Sequence, residues 1–506
     1  MARTLTTGSP WRVILMFSVP LLIGNVVQQL YQVADAIVVG RWLGVEALAA
    51  VGATGSLLFL LLGFAWGLTS GFAIPTAQAY GAQDTAAVRR SVASGAFLTG
   101  VTSVVLTLGA PLLSEPALRL LQTPAELMED AVVFAQISFL GASTMMFFNY
   151  LSAIIRAIGD SRTPLIFLTL SCFLNVGLVV LMVGPWGWGV AGAALATVVS
   201  QAVSVLLCIE YVRRRVPVLR MTRYDWKVTR ADLLEHLRLG LPMGFQASII
   251  GIGTLAVQVR LNELGSDAVA AYTTASRVDG LAIALLMSLG LATSMFVAQN
   301  HGGGRPDRIR RGVVQATWLS LGSAVVLGIL LMVFGAHLVR LFVGDGSDGV
   351  VDLAALMLII NGSTYSALAV LFVLRGALQG LGHTMIPTVT GVVELFARVG
   401  AAVLLGAIFG FVGVAWSNPL AWFGAVVILI PAYLHAHRQL ATMPVTPLVP
   451  TPTAAIPVIG PSDGSMVVDA IVTQPIPLPQ QPSATQRGNL VRIIARRRPR
   501  DRARTR

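Results

Sequence analysis

From Val51 to Ala79 the chain carries no charged residue, although it is long enough to cross a lipid bilayer. A spanning helix needs about 20 mostly apolar residues. Runs of this kind recur along the chain, at 13–38, 51–79, 92–114, 127–151, 163–184, 189–211, 240–262, 268–299, 312–340, 351–374, 385–408 and 411–434. Backbone polar groups in lipid must be satisfied within the segment, so such runs are helices. Only 11% of residues are charged against 55% hydrophobic, too few to coat a water-soluble surface of this size. The expected fold class is therefore an all-α integral membrane protein of twelve transmembrane helices.

An even number of spans puts both termini on one side. Arg89, Arg90, Arg156, Arg162, the run from Arg213 to Arg238, Arg305 to Arg311 and Arg438 fall in one set of connections. The other set offers scattered residues such as Arg41, Arg119 and Arg340. That asymmetry places both termini in the cytoplasm of a cell-membrane protein. Arg3 and Arg12 precede a first helix that is expected to be retained rather than cleaved as a signal peptide. The net charge of +12 is absorbed by these loops and by the terminal run ARRRPRDRARTR, without interleaved aromatics, so nucleic acid is not an expected partner. Cys172 and Cys208 lie inside apolar runs and read as small buried residues, not as a disulfide or metal pair.

The sequence is duplicated. Pro20 and Pro242 are early in the first helix of each half; AQAYGAQ from Ala77 matches AQNHGGG from Ala298; Arg89–Arg90 map onto Arg310–Arg311; Gly159 and Pro164 map onto Gly382 and Pro387. The offsets are 221 to 223 positions throughout. Six helices per copy make the two lobes parallel, related by a pseudo-twofold along the membrane normal, with a binding site expected between them. The expected domains are an N-terminal lobe (1–211), a cytoplasmic linker (212–238), a C-terminal lobe (239–438) and a disordered Pro-rich and Arg-rich tail (439–506) that can rest on anionic lipid.

Polar residues at membrane depth indicate where function lies. Asn25, Gln28, Gln32 and Asp35 are spaced 3, 4 and 3 apart, on one helical face. An aspartate facing lipid at the bilayer centre costs about 2.5–3.5 kcal/mol, so this stripe faces helices or a watery cavity. A carboxylate there can bind and release a proton, or hold Na⁺ with amide and hydroxyl oxygens such as those of Asn175 and Thr197. In the second half the matching helix has Gln246, Thr254 and Gln258 but no acid before Glu263. Glu394 and Arg398, four apart, read as a structural ion pair. Arg277 and Asp279 do not share a helix face and need other partners. Met145, Met146, Phe148, Met287, Met295 and Tyr365 suit the lining of a cavity for flat lipophilic compounds, with Gln28, Gln32 and Gln246 as its polar lining. No ATP-binding loop, HExxH or GxSxG is present, so no enzyme chemistry is expected and the energy source is an ion gradient.

The stretch NVVQQLYQVADAIVVGRWLGVEALAAVG from Asn25, with IRAIGDSRTP from Ile155 and LRGALQGLGHTMIP from Leu374, resembles the MATE (multidrug and toxic compound extrusion) family, most of all its bacterial DinF/MepA-like branch. The resemblance runs over about residues 10–438. It implies two lobes forming a V around a central cavity, and export of lipophilic, often cationic compounds by Na⁺ or H⁺ antiport. It also implies ion coupling at Asp35, Asn175 and Thr197, with Ala193 as a backbone ligand. Many members carry a second aspartate where this chain has Val179, which tilts the expectation towards H⁺. No other cofactor is expected, and the partners are small-molecule substrates and membrane lipids around a monomer. A lipid-linked precursor flippase, or a membrane receptor or scaffold using the basic tail, are the competing functions.

Overall fold

A computed structural model describes residues 4–444 other than 122, 223 and 344–347. The described residues form helices joined by short turns: α1 (Pro10–Leu43), α2 (Val45–Gly81), α3 (Thr85–Leu120), α4 (Ala125–Leu140), α5 (Ala142–Ala157), α6 (Arg162–Val183) and α7 (Gly189–Arg215) in the first half. The second half has α8 (Arg230–Leu264), α9 (Ser266–Gly302), α10 (Pro306–Val343), α11 (Asp348–Gly380), α12 (Met385–Gly400), α13 (Gly406–Phe409), α14 (Phe411–Ala415) and α15 (Ser417–Thr442). Eleven of these stretches are long and apolar enough to cross a membrane, and α4 and α5 together make a twelfth, bent by 46°. The expected all-α membrane architecture in two lobes stands. The residues from 445 onward, expected as a tail, lie outside the described ones.

Local chemistry sets the breaks. Gly44 and Gly265, 221 positions apart, take φ of 90° and 100° between the first two helices of each half, a region that side chains disfavour. Asp84 caps α3 by accepting from Ala87 N at 2.9 Å, and Thr229 with Asp232 forms a capping box at α8. The span expected at 127–151 is not one straight helix. At its middle Gly141 lies so near α7 that a Cβ there would meet a Val198 methyl at 2.2 Å. The span expected at 385–408 contains a π-helical turn at Ala401–Leu405, a local widening that also lies within a helix rather than a loop.

The lobes meet where α2 and α9 end. A Cβ on Gly81 would stand 1.8 Å from the Gln299 carbonyl oxygen, and a Cβ on Gly302 would stand 1.8 Å from that of Gln78. Each pair is the 221-residue image of the other, so the pseudo-twofold passes between them. The N-terminal segment reinforces this end. Leu5 N donates to Gln299 Oε1 at 2.8 Å, Asn300 Nδ2 donates to the Leu5 carbonyl at 3.2 Å, and Arg308 Nη2 donates to the Thr7 carbonyl at 2.8 Å. Gln299 Nε2 in turn donates to the Ala157 carbonyl at 2.7 Å. A second seam joins α2 to α8, where Gly67 and Gly71 let the backbone approach Met243 and Gly240.

Candidate functional site

The polar stripe of α1 divides between two places. Towards the C-terminal end of α1, Tyr31 and Asp35 lie one turn apart. The Tyr31 hydroxyl is 3.0 Å from Thr197 Oγ1 on α7, and Asn175 Nδ2 on α6 donates to the same oxygen at 3.1 Å. Thr197 Oγ1 donates to the Ala193 carbonyl at 3.3 Å. A hydroxyl has one proton and two lone pairs. With the Tyr31 hydroxyl donating, the Thr197 oxygen is saturated. Among the described residues Asp35 Oδ1 and Asn175 Oδ1 are buried acceptors without any donor. A buried acceptor left unmade costs about 1–3 kcal/mol, and more when charged. The amide oxygens of Asn300 and Asn361 in the second half are in the same state, but Asp35 Oδ1 is the one carboxylate oxygen so placed among the described residues. Val179, one turn beyond Asn175, is fully buried among apolar side chains.

The other part of the stripe lines a cavity of about 130 Å³ between α1, α5, α6 and α9. Gln28, Phe148 and Met287 face it as expected, and so does Asn25, whose Nδ2 donates across the lobes to Ser288 Oγ at 3.2 Å. Gln32 is exposed, and Met145 is half-buried outside the cavity. Four expected lining residues are elsewhere. Met295 is buried in the C-lobe core. Met146 is fully buried beside Tyr150 in the N-lobe core. Gln246 donates to the Pro387 carbonyl at 2.9 Å and accepts from Gln379 Nε2 at 3.2 Å inside the C lobe. Tyr365 is fully buried, donating to Asp279 and packed 6.1 Å from the Trp422 ring. Each is polar or soft for its own helix contacts, which composition and spacing do not separate from cavity lining.

The expected Glu394–Arg398 pair is not formed. Glu394 binds Arg375 of α11, and Arg398 Nη1 donates to the Ile250 carbonyl at 3.4 Å. The span expected at 351–374 stops just short of Arg375, but α11 continues to Gly380 and carries this arginine inside. Both partners are nearly inaccessible, so each depends on the other for its charge. A further buried acid, Asp279 of α9, accepts from the Tyr365 hydroxyl and from Asn361 Nδ2 at 3.0 Å. Its donors come from α11, far along the chain, and nothing in the local sequence announces them.

The side chains of this polar cluster have no copies in the second half. At the repeat offsets Tyr31 maps onto Ile252, Asp35 onto Ala256 and Asn175 onto Arg398. A guanidinium therefore stands where the first half has an amide.

The MatE family model matches residues 20–181 and 242–404, once in each half. The chain is 32% identical over 402 residues to the probable multidrug resistance protein YoeA of Bacillus subtilis, covering 78% of this chain and 86% of that one. It is 26% identical over 429 residues to the probable multidrug resistance protein NorM of Thermotoga maritima, covering 82% and 89%. A crystal structure of a MATE protein in complex with MaL6 superposes with a TM-score of 0.80 at 24% identity, over 87% of this chain and 98% of that one. An outward-facing multidrug resistance MATE family transporter of the MOP superfamily gives 0.79 at 24% identity, over the same shares. These superpositions establish the fold.

Proposed function

The chain belongs to the MatE family of membrane transporters, and from that premise we propose that it is a secondary active exporter of lipophilic multidrug-type compounds or metabolites, driven by exchange for protons. The reading places it in the cell membrane as a monomer with both termini in the cytoplasm. The observation that carries the coupling assignment is the pair of donorless oxygens, Asp35 Oδ1 and Asn175 Oδ1, beside a saturated Thr197 hydroxyl. A sodium ion wants several oxygen ligands with their lone pairs free. Here a single carboxylate, with an apolar Val179 one turn beyond Asn175, offers little beyond a place for a proton. Asp279, by contrast, has donors for both its oxygens and reads as a packing cluster.

In mechanism, protonation removes the charge of Asp35 and lets its carboxyl donate to the Asn175 oxygen. That draws α1 and α6 together. Since α1 also lines the cavity through Asn25 and Gln28, the same movement alters the drug-binding wall. The lobes then part at the Gly81–Gly302 end when the proton leaves. Ethidium movement in proteoliposomes should follow an imposed pH gradient and ignore an imposed Na⁺ gradient. Movement driven by Na⁺ alone would overturn the proton assignment. Asp35→Asn should abolish gradient-driven export while leaving the purified protein folded, and full export by that variant removes Asp35 from the mechanism.

A further inference from the structure

One face of α5 presents three donors to the cavity: Asn149, Ser152 and Arg156, spaced 3 and 4 apart. None of them gives a side-chain hydrogen bond to another described residue. Ser152 Oγ is buried with no partner, and no described carboxylate lies within ion-pair distance of Arg156. No acidic residue lines the cavity, whereas Trp66, Leu165, Leu168 and Leu291 give it apolar walls.

The duplication supplies an internal control. At the 223-residue offset Ser152 maps onto Arg375, Arg156 onto Gln379 and Ser171 onto Glu394. Each lobe thus keeps one arginine on this helix, shifted by a turn. The C lobe neutralises its arginine with Glu394, and the N lobe has Ser171 where that acid would be. Arg156 lies in the last turn of α5, at the end of the span, where it lines the cavity without an acidic partner and is free to meet an anion.

We infer that Arg156, with Ser152 and Asn149, is a subsite for an anionic oxyacid group, a carboxylate or phosphate, on a lipophilic substrate whose body lies against the apolar walls. This rests on the exporter reading and narrows it: the substrates include zwitterionic or acidic amphiphiles as well as cations. An arginine fork and a hydroxyl match oxyacid oxygens, and they repel a purely cationic head.

The test uses a matched pair of dyes, rhodamine 6G and its free acid, which differ only in an ester against a carboxylate. The wild-type protein in phosphatidylcholine liposomes should export the acid in preference to the ester. Arg156→Gln should lower the acid-to-ester ratio by about tenfold or more. Ser152→Asp, which sets a carboxylate one turn from Arg156, should lower it as well without deleting the arginine. Arg162→Gln, an exposed arginine outside the cavity, should keep the ratio. Binding of both dyes to detergent-purified variants, read by fluorescence polarisation, separates lost recognition from lost folding. A fluorescent phosphatidylglycerol arm identifies the source of the anion: Arg156-dependent lipid translocation assigns it to a headgroup, and dye preference without translocation to a soluble substrate. Equal export of both dyes, unchanged in Arg156→Gln, would overturn the subsite and leave the exporter intact. No export of either dye would count against the exporter reading itself.

Discussion

The two lobes share a helix plan but spend their polar residues differently. In the C lobe, every buried charge discussed above has found a partner: Glu394 with Arg375, Asp279 with Tyr365 and Asn361, Arg398 with the Ile250 carbonyl. Its apolar residues join into one extended core that also takes in Ile14, Phe17 and Ala73 of the N lobe, and α9 and α11 are the most deeply buried spans. The rest of the N lobe has its apolar side chains in three smaller clusters, a bent α4–α5 pair where the C lobe has a continuous α11, and, at Asp35, the one carboxylate oxygen among the described residues that is buried without a donor. Duplication gave two equal starting copies. On the proposed mechanism, one copy serves as a frame and the other as the part that binds and moves.

The largest expected effect strikes what the lobes share. Gly81→Val puts a side chain into the Gln299 carbonyl, so closure at that end should fail: transport lost, and a sharply lowered Tm in purified protein. Next, Glu394→Gln leaves Arg375 buried and unpaired, at a cost of about 3–5 kcal/mol, whereas the paired change Arg375→Met with Glu394→Leu should recover most of the stability. Ser171→Ala at the matching N-lobe position should shift Tm far less; an equal loss there would break the frame-versus-mover distinction. Val179→Asp adds a second carboxylate to the N-lobe site, and export should then begin to respond to an imposed Na⁺ gradient. The smallest effect lies in the linker, where the Thr222 side chain and backbone hold the Asp225 carboxyl below its usual pKa. That depressed value gives a stabilisation present above the ordinary carboxylate range and lost as pH falls through it. Thr222→Val should move the carboxyl resonance of Asp225 back towards the ordinary titration midpoint by NMR with little change in Tm.

Helices, duplication and the polar face of α1 were legible because each is written along one segment. Apolar length marks a span, a constant offset marks a repeat, and spacings of 3 and 4 mark a face. What escaped was lateral. The Arg375–Glu394 pair joins two helices, and four-residue spacing suggested Arg398 instead. Tyr31 escaped because its hydroxyl sits on an otherwise apolar ring, although its place one turn before Asp35 was a usable signal. The bend at Gly141 was invisible because a glycine in an apolar run reads equally as packing or as a joint, until Val198 is found against it. Gln246 and Tyr365 were assigned to a cavity because polarity at depth shows that a partner exists, not whether it is a helix or a substrate.

The strand of backbone from Leu5 to Gly8 has a practical consequence. Bonded to Gln299, Asn300 and Arg308 of the opposite half, it is a stitch across the joint that the proposed cycle opens. An affinity handle or fluorescent protein fused to the amino terminus would pull on that stitch, and turnover measured with such a fusion would report the handle as much as the transporter.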